Sequence, residues 1–446
     1  MFMDNFDFAN DKKEMISFVG GGGKTSSIFK LAHELKAKNK RILVTTTTKI
    51  MVPKPEDFDE LVIIPEPKLN VLQPEQGTIT VLGREFLNKG EKLAGVNPGF
   101  LDDIFRSRYF DYILVEADGA KQKSLKAPAA DEPVVPSLTT KTVGVIGLRV
   151  LNRKVDDEVF RSEIFKNLCG AGDIVNLEQI FKLITLPAGL FKNIPEKAEK
   201  YLFLNQVEGE PVKKAAFMLA DMLGKAEFYL DGLIIGSLKE EKFYPHPQRE
   251  KITGIIMAAG FSERMGQDKL LLPLKEGFSL VEKVIKEASL SDLDEVILVY
   301  QNPAVKEIGE KYGVKTVFNP EAFKGQSISV KIGIKASEPV ADGYMFIPGD
   351  MPFLDKDLIN KLLAVFKKST FPIIVPFYDD DPGMPTVFSR SLRSELLNIT
   401  GDEGGRSIIR KNPGKIKKVY IDKGFKGLDI DTPEELKKYM DYQEME

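Results

Sequence analysis

Two apolar runs of this chain each lead into a glycine-bearing turn, one near the start of each half. The first run, residues 16–19, is followed by four glycines, and apolar side chains then recur at helical spacing from Thr25 to Lys38. Further apolar runs at residues 41–44 and 112–115 alternate with helical patterns. This order predicts α/β architecture with largely parallel sheets, because such sheets are covered by helices on both faces.

A charged segment with two prolines, residues 238–250, divides the chain. It shows no clean periodicity, and a fresh apolar run begins directly after it at Ile252. Since the glycine turns of the two halves differ in sequence, we predict two nucleotide-type domains and no tandem repeat. The predicted boundaries are 1–237 for the first domain, 238–250 for a linker and 251–446 for the second domain.

Composition narrows the class of protein. The 446 residues suffice for two or three domains, and 43% hydrophobic with 29% charged residues is typical of a soluble globular chain. The net charge of −3 argues against a general nucleic-acid binder. A single cysteine, Cys169, cannot form an internal disulfide, and two distant histidines, His33 and His246, argue against a His-built metal site. With no apolar run of membrane-span length, we expect a cytoplasmic protein that binds no membrane.

The glycine turn of the second half combines small residues with cations. It reads AAGFSERMGQDK. Ala258, Ala259 and Gly260 allow a ligand to approach the backbone closely, and Arg264 and Lys269 supply two cations for phosphate groups. The other interpretation of this turn is an ordinary strand-to-helix connection with two surface cations.

Two acidic segments of the second half point to a metal ion. Asp350 follows the apolar run 344–347, at the strand end where open α/β sheets bind ligands. Asp431 stands in DIDTPEEL, which also reads as a helix start capped by Thr432 and closed by Glu435. Capping leaves the aspartates unused, and carboxylates from separate strands suit Mg²⁺ shared with substrate phosphates. We therefore predict that Asp350 and Asp431 bind Mg²⁺.

Essentially all of residues 251–446 resembles the molybdenum cofactor nucleotidyltransferase family. The resemblance rests on AAGFSERMGQDK, PGDMP, Asn319 with GQSIS, GDEGGR and DIDTPEEL. It implies a Rossmann-like, GT-A-like nucleotidyltransferase domain whose catalytic residues are Arg264, Lys269 and Asp350. The nucleotide-binding residues that it implies are Ala258, Ala259, Gly260, Ser262, Arg264, Lys269 and Asp350.

The small residues 258–260 place this resemblance in the cytidylyl branch, since the guanylyl branch more often has two glycines at the last two positions. The implied reaction is transfer of CMP from CTP to the terminal phosphate of molybdopterin, which gives molybdopterin cytosine dinucleotide and pyrophosphate. Mg²⁺ held by Asp350 and Asp431 would align the two anions, and Arg264 and Lys269 would stabilise the leaving pyrophosphate.

One residue departs from the family pattern. The family usually carries a histidine between Gly383 and Pro385, and this chain has Met384. The change bears on any ligand contact made by that side chain and leaves the transfer chemistry intact.

In the first half, a run of glycines and a lysine connects the first strand to the first helix. Residues 20–25 read GGGGKT, whereas a strict P-loop needs a glycine where this chain has Phe18. The loop is therefore the shorter G-x-x-G-K-T, a spacing similar to that of Mur-type ligases. Its amides can surround phosphates, Lys24 can reach the outer phosphates, and Thr25 can bind Mg²⁺ at a helix N-terminus. The alternative is a flexible glycine turn with a surface lysine.

Other segments of the first half fit a nucleotide site. The apolar run 112–115 ends in acids, which places Glu116 or Asp118 near a metal. The hydroxyls of TTTTK at residues 45–49 either face the phosphates or reflect strand propensity. LNQVE at residues 204–208 resembles a base-reading loop or is a capped strand end. The predicted nucleotide contacts are Gly20, Gly21, Gly22, Gly23, Lys24, Thr25, Ser26 and Asp118.

The first half resembles the YqeC-like family of selenium-dependent hydroxylase accessory proteins over roughly residues 14–237. The resemblance rests on FVGGGGKTS, TTTTKI, VEADGAKQKSLKAP, DEPVVP and LNQVE. It implies a P-loop-like, NTPase-type domain that binds a second NTP, and it implies a pathway more firmly than a reaction. In that pathway the domain would assist insertion of a selenium-bearing ligand or delivery to an apo-molybdenum hydroxylase partner. Cys169 is either a selenium or sulfur carrier or, more simply, an inert core residue.

Other functions stay open at this stage. Guanylyl or sugar-phosphate transfer would use the same fold and metal chemistry in the second domain. An NAD(P)H-using oxidoreductase is a relative of that fold, although the turn lacks a G-x-G-x-x-G fingerprint. For the first domain, the non-enzyme alternative is a chaperone or scaffold that binds nucleotide without turnover.

Overall fold

The chain divides into two units in the computed structural model, Met1–Pro247 with Lys368–Thr370 and Gln248–Lys367 with Phe371–Glu446. The structure describes residues 2–3, 13–226, 228–244, 251–260, 268–274, 277–339, 341–403, 405–422, 424–430, 432 and 435. Each unit contains its own large sheet covered by helices, which confirms the predicted α/β class.

The elements of the first unit alternate between strands and helices. Its strands are β1 (Glu14–Gly20), β2 (Ile42–Thr46), β3 (Lys49–Met51), β4 (Glu60–Ile63), β5 (Ile79–Gly83), β6 (Phe86–Leu87), β7 (Lys92–Ala94), β8 (Tyr112–Glu116), β9 (Leu125–Lys126), β10 (Lys141–Gly147), β11 (Val159–Phe160), β12 (Glu199–Asn205), β13 (Gly232–Ser237) and β14 (Lys242–Tyr244). Its helices are α1 (Lys24–Lys36), α2 (Pro98–Ser107), α3 (Val155–Glu158), α4 (Ser162–Cys169), α5 (Leu177–Thr185) and α6 (Glu210–Lys225).

The main sheet of the first unit has the strand order β14-β13-β12-β10-β1-β8-β2-β5-β4. Within the described residues every neighbouring pair is parallel except β13 with β14. Strand β1 lies between β8 and β10, so the carboxyl ends of these three strands meet at one edge of the sheet. In open α/β sheets, ligands bind at such an edge where the strand order reverses.

Helices cover both faces of this sheet because side chains alternate along β1. Phe18 packs in a buried cluster with Ile28 and Leu31 of α1. Val19, the next residue, points to the other face and packs in the cluster that contains Phe165 of α4. The amphipathic helix predicted after the glycines is therefore the helix that covers one face of the central strand.

The first sheet extends into the segment predicted as a linker. Strand β14 pairs antiparallel with β13, with Phe243 opposite Gly236. The ring of Phe243 lies 5.6 Å from that of Phe2, and Tyr244 packs against the cluster on the other face. The charged residues around this short strand conceal it in the sequence, and the domain boundaries stay a prediction.

The second unit also alternates strands and helices. Its strands are β15 (Ile252–Ala258), β16 (Glu295–Tyr300), β17 (Lys315–Phe318), β18 (Gly343–Pro348), β19 (Ile373–Tyr378), β20 (Asp381–Pro382), β21 (Thr386–Ser389) and β22 (Ile416–Ile421). Its helices are α7 (Leu280–Ser289), α8 (Pro303–Lys311), α9 (Gln326–Ala336), α10 (Lys356–Lys368), α11 (Arg393–Asn398) and α12 (Arg406–Lys411).

The sheet of the second unit is mixed, with the order β17-β16-β15-β18-β21-β19-β20 and β22 beside β19. Strands β15 to β18 pair in parallel, whereas β21 runs antiparallel to both β18 and β19. The cluster on one face includes Val284 of α7 and Leu362 of α10, and the cluster on the other includes Val330 of α9. The prediction of largely parallel pairing therefore describes the first four strands and the β19–β22 pair, whereas β21 and β20 are antiparallel to their neighbours.

None of the helices in the described part of the chain is both long and apolar enough to cross a membrane.

Substitution of two glycines of the first unit by alanine distinguishes the cost of a steric clash from the cost of a left-handed backbone. Gly22 has φ +83°, and an added Cβ would lie 2.2 Å from the Gly147 nitrogen. Gly90 has φ +93°, and no described atom beyond its chain neighbours lies within 4 Å of an added Cβ. Gly90→Ala should therefore lose only the about 1–2 kcal/mol of the left-handed conformation. Gly22→Ala should lose at least about 2 kcal/mol more, because a backbone atom must move.

The measurement is the free energy of unfolding in urea of both variants, monitored by a spectroscopic signal from the first unit. Equal losses in the unfolding free energy would show that the glycine run is not closely packed.

Candidate functional site

The predicted ligand turn of the second unit lies at the carboxyl ends of two adjacent strands. Strands β15 and β18 are parallel, with Met257 opposite Pro348, and the Gly349 amide donates to the Met257 carbonyl at 3.1 Å. Ala258 and Ala259 are buried, whereas Gly260 is exposed. No described atom beyond the chain neighbours lies within 4 Å of a Cβ added at Gly260.

Lys269 and Asp350 form an ion pair at this edge. The Lys269 Nζ donates to Asp350 Oδ2 at 2.7 Å, and both side chains are mostly buried. Lys269 begins a short 3₁₀ turn, whose cap Asp268 accepts from the Leu270 amide at 3.2 Å and from the Asn302 side-chain amide at 2.7 Å. Two predicted residues 81 positions apart are thus brought into contact, on a turn anchored by Asp268.

The segment before Asp431 also reaches this edge. The Ile430 amide donates to the Asp350 carbonyl at 3.1 Å. The Thr432 amide donates to Glu435 at 2.8 Å and the Glu435 amide donates to the Thr432 hydroxyl at 3.3 Å, which confirms the predicted capping box. Asp431 itself lies outside the described residues, as do Ser262 and Arg264.

Two further motifs of the second half lie against each other. Gly325, with φ +103°, precedes α9, and the Gln326 amide donates to Asp402 Oδ1 at 3.1 Å. An added Cβ at Gly325 would lie 2.6 Å from the same carboxylate oxygen, so only glycine fits there. This contact joins GQSIS to GDEGGR across 76 positions.

The side chain of Asn319 makes hydrogen bonds within the protein. Its side-chain amide donates to the Ser329 hydroxyl at 3.0 Å, and its oxygen accepts from the Glu321 amide at 3.0 Å. The residue is fully buried. It therefore fixes the path of the chain between β17 and α9.

Met384, the departure from the family pattern, packs in the interior. It is half-buried against both apolar clusters of the second unit. Its carbonyl accepts from the Tyr378 hydroxyl at 2.6 Å, and the Thr386 hydroxyl lies 3.2 Å from its sulfur. Burial raises the pKa of Tyr378, consistent with a hydroxyl held as a donor.

In the first unit, three of the four glycines have left-handed backbones and pack tightly. Gly20, Gly22 and Gly23 have φ values of +94°, +83° and +122°. The amides of residues 20–22 already donate within the protein, to Asp118, the Val145 carbonyl and the Lys123 carbonyl in turn. Within the described chain, the amides of residues 23–26 have no acceptor. The free donors for an anion are therefore those at the start of α1.

Lys24 is held at the centre of a buried group of charges. Its Nζ donates to the Gly20 carbonyl at 2.6 Å and lies 3.2 Å from Asp118 Oδ1 and 3.8 Å from Glu116 Oε1. Burial lowers the pKa of Lys24, but the attraction of Asp118 and Glu116 outweighs it, so the pKa lies above its usual value. Burial raises the pKa of Glu116, against the opposing charge of Lys24. Phosphates that recruited Lys24 would have to compete with Asp118.

The two acids after β8 occupy different positions. Glu116 lines a cavity at the glycine loop and accepts from the Thr25 hydroxyl at 2.7 Å. Asp118 is buried beside the loop, where it accepts from the Gly20 amide at 3.1 Å and pairs with Lys126 at 3.1 Å. Of the two acids that the sequence leaves open, Glu116 is therefore the one beside the hydroxyl and the cavity.

The threonine run is mostly structural. The hydroxyls of Thr45, Thr46 and Thr47 donate to the carbonyls of Leu82, Glu116 and Val134. Thr45 and Thr46 lie in β2, which supports the strand interpretation for these two. Thr47, Thr48 and Lys49 follow β2, and all three line the cavity.

Asn205, at the end of β12, contacts the glycine loop, and Gln206 follows it. The Asn205 side chain donates to the Gly22 carbonyl at 2.8 Å and accepts from the Leu238 amide at 3.1 Å. Gln206, with φ +60°, lines the cavity, and its buried Oε1 has no hydrogen-bond partner among the described residues. LNQVE thus contributes a structural asparagine and a cavity-lining glutamine.

The cavity at the glycine loop has a volume of about 1230 Å³. Gly22, Gly23, Lys24, Thr25 and Ser26 line it, whereas Gly20, Gly21 and Asp118 do not. The structure therefore brings five of the eight predicted contacts of this domain to one cavity. Glu116 and Gln206, which the predicted contacts omit, also line it.

The carboxylates at both sites are the oxygen donors that Mg²⁺ prefers. Asp350 in the second unit, and Glu116 beside the Thr25 hydroxyl in the first, are of the right chemistry to hold the ion. No group of three or more His, Cys, Asp or Glu side chains in the described chain is arranged around a metal.

Cys169 lies in the core. It is 1% exposed and belongs to the buried cluster of α4 and α5. Burial raises the pKa of its thiol to about 12. The geometry supports the interpretation as an inert core residue.

This burial can be measured with a thiol reagent, because the chain has one cysteine. At pH 8, a thiol with a pKa of about 12 holds about 1,000-fold less thiolate than one with the ordinary value near 9. Native protein should therefore react with DTNB at a small fraction of the rate in guanidinium, and Cys169→Ser should not react. Fast native labelling would indicate an accessible, reactive thiol.

Comparison with known proteins identifies two separate groups of relatives. The family model described as "YqeC protein" matches residues 16–163, and the one described as "MobA-like NTP transferase domain" matches residues 254–416. "Uncharacterized protein YqeC" of Escherichia coli (strain K12) is 31% identical over 44% of this chain and 78% of its own length. "Purine catabolism protein PucB" of Bacillus subtilis (strain 168) is 33% identical over 41% of this chain and 93% of its own length. "Molybdenum cofactor cytidylyltransferase" of E. coli (strain K12) is 30% identical over 41% of this chain and 91% of its own length.

Proposed function

Because this chain belongs to the YqeC family in its first unit and to the MobA-like NTP transferase family in its second, we propose that it completes a molybdenum cofactor and assists the enzyme that receives it. The second unit transfers CMP from CTP to molybdopterin, with release of pyrophosphate. The first unit binds a nucleoside triphosphate at the start of α1. The Lys269–Asp350 ion pair, set against the Ile430 amide contact, is the observation that carries the transferase assignment.

The transfer needs charge control and alignment, and no covalent protein intermediate. A phosphate oxygen of molybdopterin attacks the α-phosphorus of CTP, and the bond to the pyrophosphate oxygen breaks. Lys269 offsets the negative charge that develops on pyrophosphate, and it is already desolvated and positioned by Asp350. Asp350, with Asp431, would hold Mg²⁺, which when bound draws the two phosphate anions together.

CTP is favoured over GTP because of the small residues at the turn. Ala258 and Ala259 are buried and leave the exposed Gly260 as the point of close approach. The AAG form matches the cytidylyl branch, and one relative is described as a molybdenum cofactor cytidylyltransferase. Arg264 and Ser262 belong to the proposed nucleotide site on the strength of the motif alone.

Variants of the ion pair test the transferase site. Lys269→Gln and Asp350→Asn should each lower pyrophosphate release from CTP with molybdopterin by at least about 100-fold. The first removes the cation that offsets the charge on pyrophosphate, and the second removes a proposed carboxylate ligand of Mg²⁺. Lys311→Gln is the matched control, since Lys311 pairs with Glu282 at the same 2.7 Å but lies on α8. It should change the rate by less than about twofold, as expected for an exposed pair.

Thermal melting of the three variants separates a folding defect from a lost function. Wild-type turnover by well-folded Asp350→Asn would overturn the assignment of Asp350.

The first unit is proposed to act as a P-loop-like NTP-binding domain in maturation of molybdenum hydroxylases, including selenium-dependent ones. The support is the glycine loop, the free amides at the start of α1 and the Thr25–Glu116 contact beside a cavity. The partner in this proposal is an apo-hydroxylase, which would receive the finished cofactor. Family membership supports the pathway, and the cavity supports the nucleotide.

Binding of fluorescent ATP and GTP analogues to the full chain, with excess CTP to occupy the second unit, tests this site. Thr25→Ala should weaken binding by about tenfold, since it removes a phosphate or metal contact and no charge. Lys24→Gln should weaken it further, with melting followed because two buried acids lose their cation. Lys30→Gln, also on α1 but paired with Glu34 away from the cavity, is the control. Unchanged affinity in Thr25→Ala and Lys24→Gln would reject a nucleotide site at α1.

A further inference from the structure

The cavity of the first unit carries far more positive than negative charge. Among the described residues that line it are eight lysines and arginines and two glutamates, Glu116 and Glu132. Three of the cations already have acidic partners: Lys24 pairs with Asp118, Arg161 with Glu132, and Arg84 with Glu85. A wall with this excess of cations is suited to anionic ligands.

Some of the cations belong to the wall of the glycine loop. The Lys123 carbonyl accepts from the Gly22 amide at 3.0 Å, and the Arg149 guanidinium donates to the Ser124 hydroxyl at 2.9 Å. With Lys121, these side chains lie on the segments that contact the loop. Lys121 and Arg149 are suited to the phosphates of the proposed nucleotide, whereas the Lys123 amine already donates to the Asp157 carbonyl.

A second group of cations lies on a separate small sheet. Strands β3, β7 and β6 form a three-stranded antiparallel sheet, in which Lys49 pairs with Ala94 and Met51 with Lys92. Residues that are opposite each other in neighbouring strands lie on the same face of the sheet, so Lys49, Met51, Lys92 and Ala94 share one face. Side chains alternate along a strand, so Leu93 lies on the other face, where it is fully buried in the apolar cluster under the main sheet. Lys49, Met51, Lys92 and Ala94 all line the cavity.

The lysines of this face have no acidic partner. Within the described chain, no carboxylate lies in ion-pair distance of Lys49 or Lys92. Arg84 joins them on the same wall, since its amide donates to the Ala94 carbonyl at 3.1 Å, and its side chain is half exposed beside Glu85. This group, Lys49, Arg84 and Lys92, is called the sheet cations below.

The cavity is also larger than is usual for a single small ligand. Pockets for single small ligands typically measure about 300–1,000 Å³, and this cavity measures about 1230 Å³. We propose that the sheet cations form a second anion subsite, which holds the phosphate group of a second substrate while the start of α1 holds the nucleotide. The nucleotide half of this inference rests on the proposed function, whereas the sheet cations can be tested separately.

The subsite can be tested by lysine acylation of the full chain, with the modified lysines identified by mass spectrometry. Inorganic phosphate is the probe, and a non-hydrolysable ATP analogue and CTP are present in excess to fill the two proposed nucleotide sites. At phosphate ten times its dissociation constant, acylation of Lys49 and Lys92 should slow by about tenfold, by mass action. Lys54, whose side chain is 77% exposed and lies outside the cavity, should keep its rate. Arg84→Gln should remove most of the protection and leave affinity for the ATP analogue unchanged.

Three results would overturn the subsite. One is an unchanged acylation rate of Lys49 and Lys92 at phosphate concentrations up to 20-fold above about 1 mM. A dissociation constant of about 1 mM is typical of a weak site. Another is equal protection of Lys54, which indicates an adventitious ion only. The third is complete protection by the ATP analogue alone, with no further effect of phosphate, which indicates one extended ligand. Loss of nucleotide binding with phosphate protection intact would contradict only the nucleotide assignment.

Discussion

Parallel strand pairing is the constraint on which both candidate sites depend. In the first unit β1 lies between β8 and β10, and in the second β15 lies between β16 and β18, so loops from distant sequence meet at one edge of each sheet. That edge brings Thr25 to Glu116 and Lys269 to Asp350, pairs 91 and 81 positions apart. Without parallel pairing at these strands, neither set of charged groups would converge.

The two edges use their charges differently. In the first unit Lys24 is buried and tied to Asp118, and the loop amides up to Gly22 are already bonded, so an anion meets the start of α1 and the open cavity wall. In the second unit Lys269 pairs with Asp350 at the carboxyl edge of the sheet. The first arrangement suits binding that competes with an internal ion pair. The second suits charge stabilisation during transfer.

The sequence predicts the central strands, α1 and the capping box because these depend on local patterns. It also predicts that Lys269 and Asp350 belong to one site, through the family resemblance, and Cys169 as core. It does not predict the wall of the first cavity. Strand β3 has three residues, and its role depends on pairing with β7 more than 40 positions later, which no local periodicity reports. The choice of Glu116 over Asp118 likewise depends on which acid the fold turns toward Thr25.

Nucleotide identity tests the transferase account most directly. The full chain would be incubated with Mg²⁺, molybdopterin and equal concentrations of CTP and GTP, and the dinucleotide product identified by its mass. The expected products are molybdopterin cytosine dinucleotide and pyrophosphate. A guanine dinucleotide would contradict the CTP assignment, and absence of both products would contradict molybdopterin as the acceptor.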